Sequence, residues 1–326
     1  MKRTVISFLI ITLIFAFAGC GKVEPTVFTI DGTEVSMKEY NIYYNQYMLQ
    51  AKQSIPEDQL DEYWNTEVDG KTNYQSAKDA AYNQLMENYV IAKYAQKSGF
   101  TFSDEVLQMA STVKNQFTGG SYQSFYEELD TDSTALDNIA KNIAISEAMY
   151  AKLMDDGVID LSETAKIKNF EENYYKAQHI LVMTTDDAGQ PVANKEEKKA
   201  YAEGILQRVN NGEDFTTLAN ELSEDPGQES NPDGYVFTEG EMVKEFEDSV
   251  KSLEFGAVSG LVETSYGYHI IKRLPLSYEN DVAKVENFEQ KIISSLISKY
   301  VEQNIENWKK ELNIVENKNV IDNLKR

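Results

Sequence analysis

The N-terminal half of the chain has the hydrophobic spacing of amphipathic helices. Ser36 followed by Glu39 is a capping-box pattern, which predicts that a helix begins here. Large apolar and aromatic side chains then recur at helical intervals, at Met37, Tyr40, Tyr44, Tyr47 and Met48. Further helices are predicted at residues 76–97, 103–118, 133–154 and 162–174. We therefore expect a mainly helical region after a short strand-and-turn element at residues 27–35.

The pattern changes at about residue 174, where short runs rich in β-branched residues alternate with helical stretches. The predicted strands are residues 177–183, 235–237, 260–263 and 268–274, and the predicted helices between them are 195–209, 215–222 and 241–253. After Pro275 a last helix is predicted at residues 282–312, followed by a polar tail. The order of elements predicts an α+β unit inserted between two helical arms, whose apolar faces pack together.

The first residues have the pattern of an export signal. An apolar run at residues 5–18 follows the basic pair Lys2 and Arg3. The run is shorter than the roughly 20 residues of a membrane span and has the length of a signal-peptide core. It ends in Phe17-Ala18-Gly19-Cys20, which resembles the lipobox of bacterial lipoproteins. That resemblance implies a signal peptide at residues 1–19 and a lipid on Cys20. The alternative is an ordinary signal peptide with a leftover cysteine.

Composition and charge exclude several kinds of function. The 326 residues include one Cys and two His, and 31 Lys and Arg against 54 Asp and Glu give a formal charge of −23. One cysteine excludes an internal disulfide and a multi-thiolate metal site, and two histidines exclude a three-histidine site. The acidic balance argues against a nucleic-acid partner, because phosphate binding needs Lys and Arg. We expect no cofactor and no metal.

Both histidines lie on predicted strands of the α+β unit. His179 begins the run His179-Ile180-Leu181-Val182, and His269 lies in Tyr266-Gly267-Tyr268-His269-Ile270-Ile271. Because side chains alternate along a strand, both histidines can point into one face of the same sheet. A histidine in such a place is more often structural than catalytic, so these two positions alone leave both interpretations open.

Five motifs follow one another over about 100 residues of this unit. They are Ala177-x-His179-Ile180-Leu181-Val182, Gly212-x-Asp214-Phe215-x-x-Leu218-Ala219-x-x-x-Ser223-x-Asp225, Gly240-x-Met242-x-x-x-Phe246, Val258-Ser259-Gly260 and Tyr266-Gly267-Tyr268-His269-Ile270-Ile271. In this order they resemble a parvulin-type peptidyl-prolyl isomerase domain, which implies an antiparallel sheet flanked by helices. The flanking arms resemble, more weakly, those of PrsA-type foldase lipoproteins and of the related chaperone SurA.

The resemblance implies a role for several positions. His179 and His269 match the paired histidines of the parvulin site. Asp225 matches a position that is Cys or Asp in the family, and Thr264 matches a hydroxyl residue of the histidines' hydrogen-bond network. The apolar pocket that holds the substrate proline ring is matched by Met242 and Phe246, with Phe237 as an aromatic residue close to it.

These residue types suit a reaction that breaks no covalent bond. X–Pro isomerisation has an activation energy near 20 kcal/mol, because amide resonance is lost in the twisted transition state. That state is less polar, so an apolar pocket that excludes water favours it. A hydrogen-bonded His-His-Asp network sets the tautomers and the local field. We therefore expect the histidines to act through a network and not as nucleophiles.

The chain departs from the family at two places. Where many parvulins have Gly-Asp-Leu-Gly before the aromatic residue, this chain has Pro232-Asp233-Gly234-Tyr235, and the usual Pro after Val258-Ser259-Gly260 is Leu261. Residues 174–276 contain nine Lys and Arg against 19 Asp and Glu. Selectivity for phosphorylated substrates, known from some parvulins, is therefore not expected.

The expected organisation has four segments: a signal peptide at residues 1–19, a helical chaperone-like region at 20–173, a parvulin domain at 174–276 and a C-terminal helix at 277–326 that packs with the N-terminal region. The resemblance implies a foldase anchored through Cys20 at the outer face of a bacterial cell membrane, whose partners are unfolded exported polypeptides. A homodimer is left open, as is the choice between scaffold and client groove for the arms. The alternatives are a chaperone with an idle isomerase domain and a lipoprotein that captures solute or metal.

Overall fold

The structure, a computed structural model, describes residues 24–100, 103–118, 130–185 and 192–324. The apolar run at residues 5–18 and Cys20 lie outside the described residues, so the signal peptide and the lipid attachment stay predictions. Within the described ranges, no helix combines the length and the apolar character that a membrane span requires.

The first half of the chain is mostly helical, as the sequence pattern predicts. Its elements in chain order are β1 (Thr26–Ile30), β2 (Thr33–Ser36), α1 (Met37–Ser54), α2 (Leu60–Asn65), β3 (Glu67–Val68), β4 (Lys71–Thr72), α3 (Asn73–Lys97), α4 (Asp104–Thr118), α5 (Ser133–Asp155) and α6 (Glu163–Asn173). The capping box at the start of α1 is present, because Ser36 and Glu39 each hydrogen-bond the other's backbone.

The second half alternates strands and helices before returning to helix. Its elements are β5 (Tyr174–Met183), α7 (Lys195–Asn210), α8 (Phe215–Leu222), β6 (Tyr235–Thr238), α9 (Lys244–Ser252), β7 (Val258–Glu263), β8 (Gly267–Arg273), α10 (Tyr278–Asp281), α11 (Phe288–Glu311), β9 (Ile314–Glu316) and α12 (Asn319–Asp322). The expected α+β fold class, with an antiparallel sheet flanked by helices between helical regions, is confirmed.

Several elements differ from the predicted ones, among them α9, α11, β9 and the start of β5, which lies at Tyr174 and not at residue 177. Helix α9 begins at Lys244 and not at residue 241, because the backbone N–H groups of Gly240 and Met242 turn to donate to the Glu247 carboxylate. Helix α11 begins at Phe288 and not at 282, after short helical turns. The predicted polar tail contains β9, which was missed because three residues are too few to show a period.

The described chain divides into two compact units, Met1–Met149 with Ile305–Arg326, and Tyr150–Asn304. The second unit extends beyond residues 174–276 on both sides, and the predicted limits of the parvulin domain stay a prediction.

In the first unit, β1 is the central strand of an antiparallel sheet with the order β2-β1-β9. Phe28 of β1 is fully buried and packs edge-to-face on Tyr82 and Tyr89 of α3. The indole of Trp308 stacks on Tyr94 with the ring centroids 4.7 Å apart. Residues after 304 therefore complete the core of this unit.

In the second unit, the sheet has the order β6-β5-β8-β7 and every neighbouring pair is antiparallel. One face packs on α7 and α8 through a cluster that includes Ile180, Val182, Ile205, Leu218 and Ile270. The opposite face packs on α9 through Ala177, Phe237, Phe246, Val250 and Ile271. Successive strand residues point to opposite faces, so the residues between the first set lie on the second face, where the candidate site is.

Candidate functional site

The sheet brings the two histidines of the chain together on the face that packs on α9. In the β5–β8 ladder, His179 pairs with Ile271 and Leu181 pairs with His269, so the two imidazoles are diagonal neighbours. Their ring centroids are 5.2 Å apart and the rings are nearly perpendicular. Both side chains are buried. Residues 90 positions apart thus form one pair through strand register.

The loop between α8 and β6 brings Asp225 to His179. This loop runs along the edge of β5, where the Glu224 N–H donates to the Leu181 carbonyl at 2.8 Å and the Leu181 N–H donates to Ser223 Oγ at 3.1 Å. Asp225 Oδ2 then lies 3.1 Å from His179 Nε2. The two side chains form a hydrogen-bonded pair that is shielded from solvent on most sides.

The Asp225 carboxyl is held in its ionised form. Burial by itself would raise its pKa, but hydrogen bonds from His179, the Tyr235 hydroxyl and the Gly227 backbone N–H together lower the pKa to about 2. A carboxylate can only accept hydrogen bonds, so His179 Nε2 carries the proton of this contact.

Thr264 lies beside the second histidine. Its Oγ1 is 2.9 Å from His269 Nε2 and accepts the backbone N–H of Tyr266 at 3.1 Å. Burial, and then the proximity of His179, lower the pKa of His269 to about 4. His269 is therefore a neutral imidazole at physiological pH.

Each histidine keeps one buried nitrogen without a partner among the described residues. These atoms are His179 Nδ1 and His269 Nδ1. An unpartnered buried polar atom costs about 1–3 kcal/mol. Only a few buried polar groups in a folded protein lack a hydrogen-bond partner. The histidine pair is therefore polar and keeps two ring nitrogens without a hydrogen-bond partner among the described residues.

The apolar side of the site is built by α9 and β6. The Phe246 ring lies edge-on to both imidazoles, with centroid distances of 5.3 Å to His179 and 5.7 Å to His269. Phe237 packs on Phe246 at 5.9 Å and is only 1% exposed, so it forms the base beneath Phe246. Met242 is partly buried against the same cluster. The structure thus brings all seven sequence-predicted site residues of this unit into one region.

Tyr235 belongs to the same region, although it is not among the site residues that the sequence predicts. Its hydroxyl donates to Asp225 Oδ2 at 2.5 Å, and its ring stacks on His179 with centroids 5.5 Å apart. The departure Pro232-Asp233-Gly234-Tyr235 was the available signal, because it places a large side chain at the first residue of the pocket strand β6. Within the part of the chain that the structure describes, no group of three or more His, Cys, Asp and Glu side chains is arranged to hold a metal ion.

We expect the stability of the protein to fall when the pH is lowered from 6.5 to 4. The unfolded chain binds a proton at His269 near the ordinary pKa of about 6.5, whereas the folded chain resists protonation down to about 4. The unfolded state thus binds more protons in this window, and His269 alone accounts for a loss of about 3 kcal/mol by pH 4. Asp225 adds its own loss only below its ordinary pKa of about 3.9.

Urea unfolding at pH 7 and at pH 4.5 measures this effect. His269→Gln has no titrating ring and should lose less free energy of unfolding between the two pH values than the unchanged protein. Equal losses in the two proteins would show that His269 does not cause the acid sensitivity.

Comparisons with known proteins agree with this geometry. The family model of the PPIC-type PPIase domain matches residues 159–274, and that of the SurA-like N-terminal domain matches residues 2–132. The chain is 28% identical to foldase protein PrsA 3 of Bacillus cereus over 249 residues, which cover 76% of this chain and 77% of that protein. It is also 28% identical to foldase protein PrsA of Clostridium kluyveri, over 98% of each chain.

A crystal structure of the peptidylprolyl isomerase PrsA from Bacillus cereus covers 73% of this chain and 85% of its own, at 24% identity and a TM-score of 0.34. The two domain models match separate segments of the sequence, and the similarity to the PrsA foldases extends over both segments. The chain thus carries a PPIC-type peptidyl-prolyl cis–trans isomerase domain at residues 159–274 and is similar over most of its length to the PrsA foldases.

Proposed function

We propose that the chain isomerises X–Pro bonds at the histidine pair and assists the folding of exported polypeptides while it is anchored outside the cell membrane. The observation that carries the site assignment is the convergence of His179, Asp225, His269 and Thr264 against the Phe246 ring. In this proposal Met242, Phe246 and Phe237 form the apolar side that holds the proline ring. The four polar residues form two hydrogen-bonded pairs, His179 with Asp225 and His269 with Thr264, beside the twisting amide.

The chemistry of the network fits a non-covalent route. Asp225 is ionised and accepts from His179, and the low pKa of His269 keeps that ring neutral, so His269 is not a charged acid poised to transfer a proton. The Asp225 carboxylate fixes the protonated nitrogen of His179, and Thr264 orients His269. A pre-oriented network of this kind needs no reorganisation while the amide twists. The aromatic wall favours the less polar transition state by excluding water.

The membrane part of the proposal rests on the sequence. The lipobox-like end at Cys20 would supply the anchor, and stable anchoring takes two or more acyl chains. Residues 20–326 carry a formal charge of −25, which disfavours close contact with an anionic membrane surface. The proposed partners are unfolded or partly folded exported polypeptides that pass near the anchored protein.

An isomerase assay on a short proline peptide tests the site assignment. Asp225→Ala should lower kcat/KM at least tenfold, because a hydrogen bond to a charged group is worth about 1.5–3 kcal/mol. The matched control is Asp214→Ala in the same unit, which removes the cap of α8 and should leave activity near the unchanged value below its melting temperature. Equal activity of the two variants would refute the assignment of Asp225 to the site.

Two further measurements test the cellular part. Incorporation of a labelled fatty acid in cells should occur in the unchanged protein and be absent in Cys20→Ala. Refolding of an exported protein whose slow phase is proline-limited should be faster with the whole chain and not with Asp225→Ala. Refolding that Asp225→Ala accelerates equally would support a chaperone whose effect does not depend on isomerisation.

A further inference from the structure

Tyr235 contacts both members of the Asp225–His179 pair. Its hydroxyl donates to Asp225 Oδ2, the same oxygen that faces His179 Nε2. Its ring lies parallel to the imidazole of His179, with an angle of 18° between the planes. A single side chain therefore touches the carboxylate at one end and covers the histidine ring with its face.

The carboxylate of Asp225 is held by donors from three separate elements. His179 on β5 and Tyr235 on β6 both approach Oδ2, whereas the Gly227 N–H of the connecting loop donates to Oδ1 at 3.1 Å. Without the Tyr235 hydroxyl, Oδ2 keeps only the histidine. Two hydrogen bonds, from His179 to Oδ2 and from the Gly227 N–H to Oδ1, would then restrain the χ2 torsion of the carboxylate in place of three, and this torsion is broad in aspartate.

The loop is shaped to admit the Tyr235 hydroxyl. A Cβ placed on Gly227 would lie 2.2 Å from that hydroxyl and 3.3 Å from the ring carbon that bears it. Gly227 is not among the glycines with positive φ. Glycine is therefore needed here because a side chain would collide with the Tyr235 hydroxyl, and not because of its backbone conformation. This steric observation is independent of the hydrogen bond, and it also requires that the Tyr235 hydroxyl lie beside Gly227.

The other end of the loop is also fixed. The Gln178 amide donates to the Pro232 carbonyl at 3.0 Å, and the Thr216 hydroxyl donates to the Gln178 amide oxygen at 2.9 Å. Gly234 has a positive φ, and a Cβ there would lie 2.6 Å from the Ala177 carbonyl. The backbone that carries Tyr235 is therefore seated closely on β5.

We propose that Tyr235 is a positioning residue that holds the Asp225 carboxylate so that His179 keeps its proton on Nε2 and its ring in one orientation. This inference rests on the proposed roles of Asp225 and His179 in the isomerase site. It assigns to this chain a fifth polar member of the network, in the place where many parvulins have the last glycine of Gly-Asp-Leu-Gly.

The protonation states agree with this role. Burial, and then the neighbouring carboxylate, raise the pKa of the Tyr235 phenol, so it stays protonated and donates. The groups that face Asp225 are His179 and His269 from the sheet, Tyr235 from β6 and the Gly227 N–H from its own loop. Removing the phenol takes away one of the donors that lower the pKa of Asp225, so that pKa should rise from about 2.

Tyr235→Phe tests the inference because it removes the hydroxyl and keeps the ring over His179. We expect the Asp225 pKa, followed by carboxyl carbon NMR, to rise by about one unit. We expect ring-nitrogen NMR of His179 to change from a single Nε2–H tautomer to a mixture, and kcat/KM to fall about three- to tenfold. The matched control is Tyr278→Phe in the same unit, whose hydroxyl bonds the Glu163 carboxyl away from the site. It should change none of the three.

A second variant, Gly227→Ala, displaces the Tyr235 hydroxyl without removing it. Gly227→Ala places a methyl group against the Tyr235 hydroxyl, so it should lower kcat/KM in the unchanged background. In the Tyr235→Phe background the conflict with the hydroxyl is absent, and the same change should cost less. A non-additive double-mutant cycle of this kind supports the inference.

The outcomes separate this inference from the function on which it rests. If Tyr235→Phe leaves the Asp225 pKa and the His179 tautomer unchanged while Asp225→Ala loses activity, the positioning role is wrong and the site stands. Full activity in Asp225→Ala would overturn the proposed site, and the role of Tyr235 in isomerisation with it.

Discussion

Phe246→Ala should lower kcat/KM for a proline peptide about 100-fold and destabilise the second unit by about 3–5 kcal/mol. The ring is 3% exposed and lies against both imidazoles and Phe237. Truncation of a buried phenylalanine removes its transfer free energy and leaves a cavity. It would also remove the apolar wall from the proposed proline pocket, a loss of roughly 2–3 kcal/mol in binding the twisted amide.

Phe215→Ala is the matched control for this experiment. Phe215 is also 3% exposed and lies in the same unit, but it packs in the cluster on the other face of the sheet. We expect a similar loss of stability by urea unfolding, with kcat/KM close to the unchanged value at a temperature where both variants are folded. Equal losses of activity in the two variants would mean that activity follows general stability, and the pocket assignment of Phe246 would be wrong.

Gly267→Ala should destabilise the protein by about 4 kcal/mol and reduce isomerase activity. Gly267 begins β8 with φ +151°, and a Cβ there would lie 2.2 Å from the Val182 carbonyl and 2.9 Å from Met183 Cα. Strained backbone costs about 1–3 kcal/mol and overpacking a similar amount. The affected backbone atoms belong to β5 and cannot move aside as a flexible side chain can.

The loss of activity would follow from the position of Gly267 in the site. Its carbonyl accepts the Thr264 N–H at 2.9 Å, and Thr264 in turn orients His269. Separation of β5 from β8 at this end would therefore disturb the histidine pair as well as the sheet.

Gly260→Ala provides the matched comparison in the neighbouring strand β7. Gly260 has no positive φ, and a Cβ added there meets nothing within 4 Å. Gly to Ala at a compatible site changes stability by about 0.4–1 kcal/mol, usually upward. Urea unfolding measures the free energy of unfolding of both variants. A value for Gly267→Ala within about 1 kcal/mol of that for Gly260→Ala would contradict the close approach of β5 and β8.

The elements near the site were predictable because they are long enough to show a period. The run Ile180-Leu181-Val182 after His179 and the run around His269 have the β-branched and aromatic content of strands. Alternation along a strand then limits both histidines to one of two faces. Strand β9 lies beyond this kind of inference, since three half-polar residues become a strand only by pairing with the buried β1.

The start of α9 has a local cause that the spacing of hydrophobic residues does not encode. The turn before α9 exists because the Glu247 carboxylate bonds two backbone N–H groups, at Gly240 and Met242. A hydrophobic pattern has no information about such side-chain-to-backbone bonds, which compete with the first turn of a helix.

By itself, the sequence determined which residue types could take part in this site. Local periodicity places two histidines on two strands and an aromatic residue on an amphipathic helix, and the resemblance to the parvulin motifs singles out Asp225. Local periodicity is set by the backbone geometry of each element, so it can be seen without the rest of the fold.

Only the tertiary structure decided how these residues meet. The register of β5 on β8 makes the histidines diagonal neighbours, and the loop after α8 returns Asp225 to the edge of β5. The contact of Tyr235 with Asp225 depends on that return and on the open space above Gly227. Contacts between residues that are distant along the chain are set by packing and register, because no local pattern fixes the distance between two separate elements.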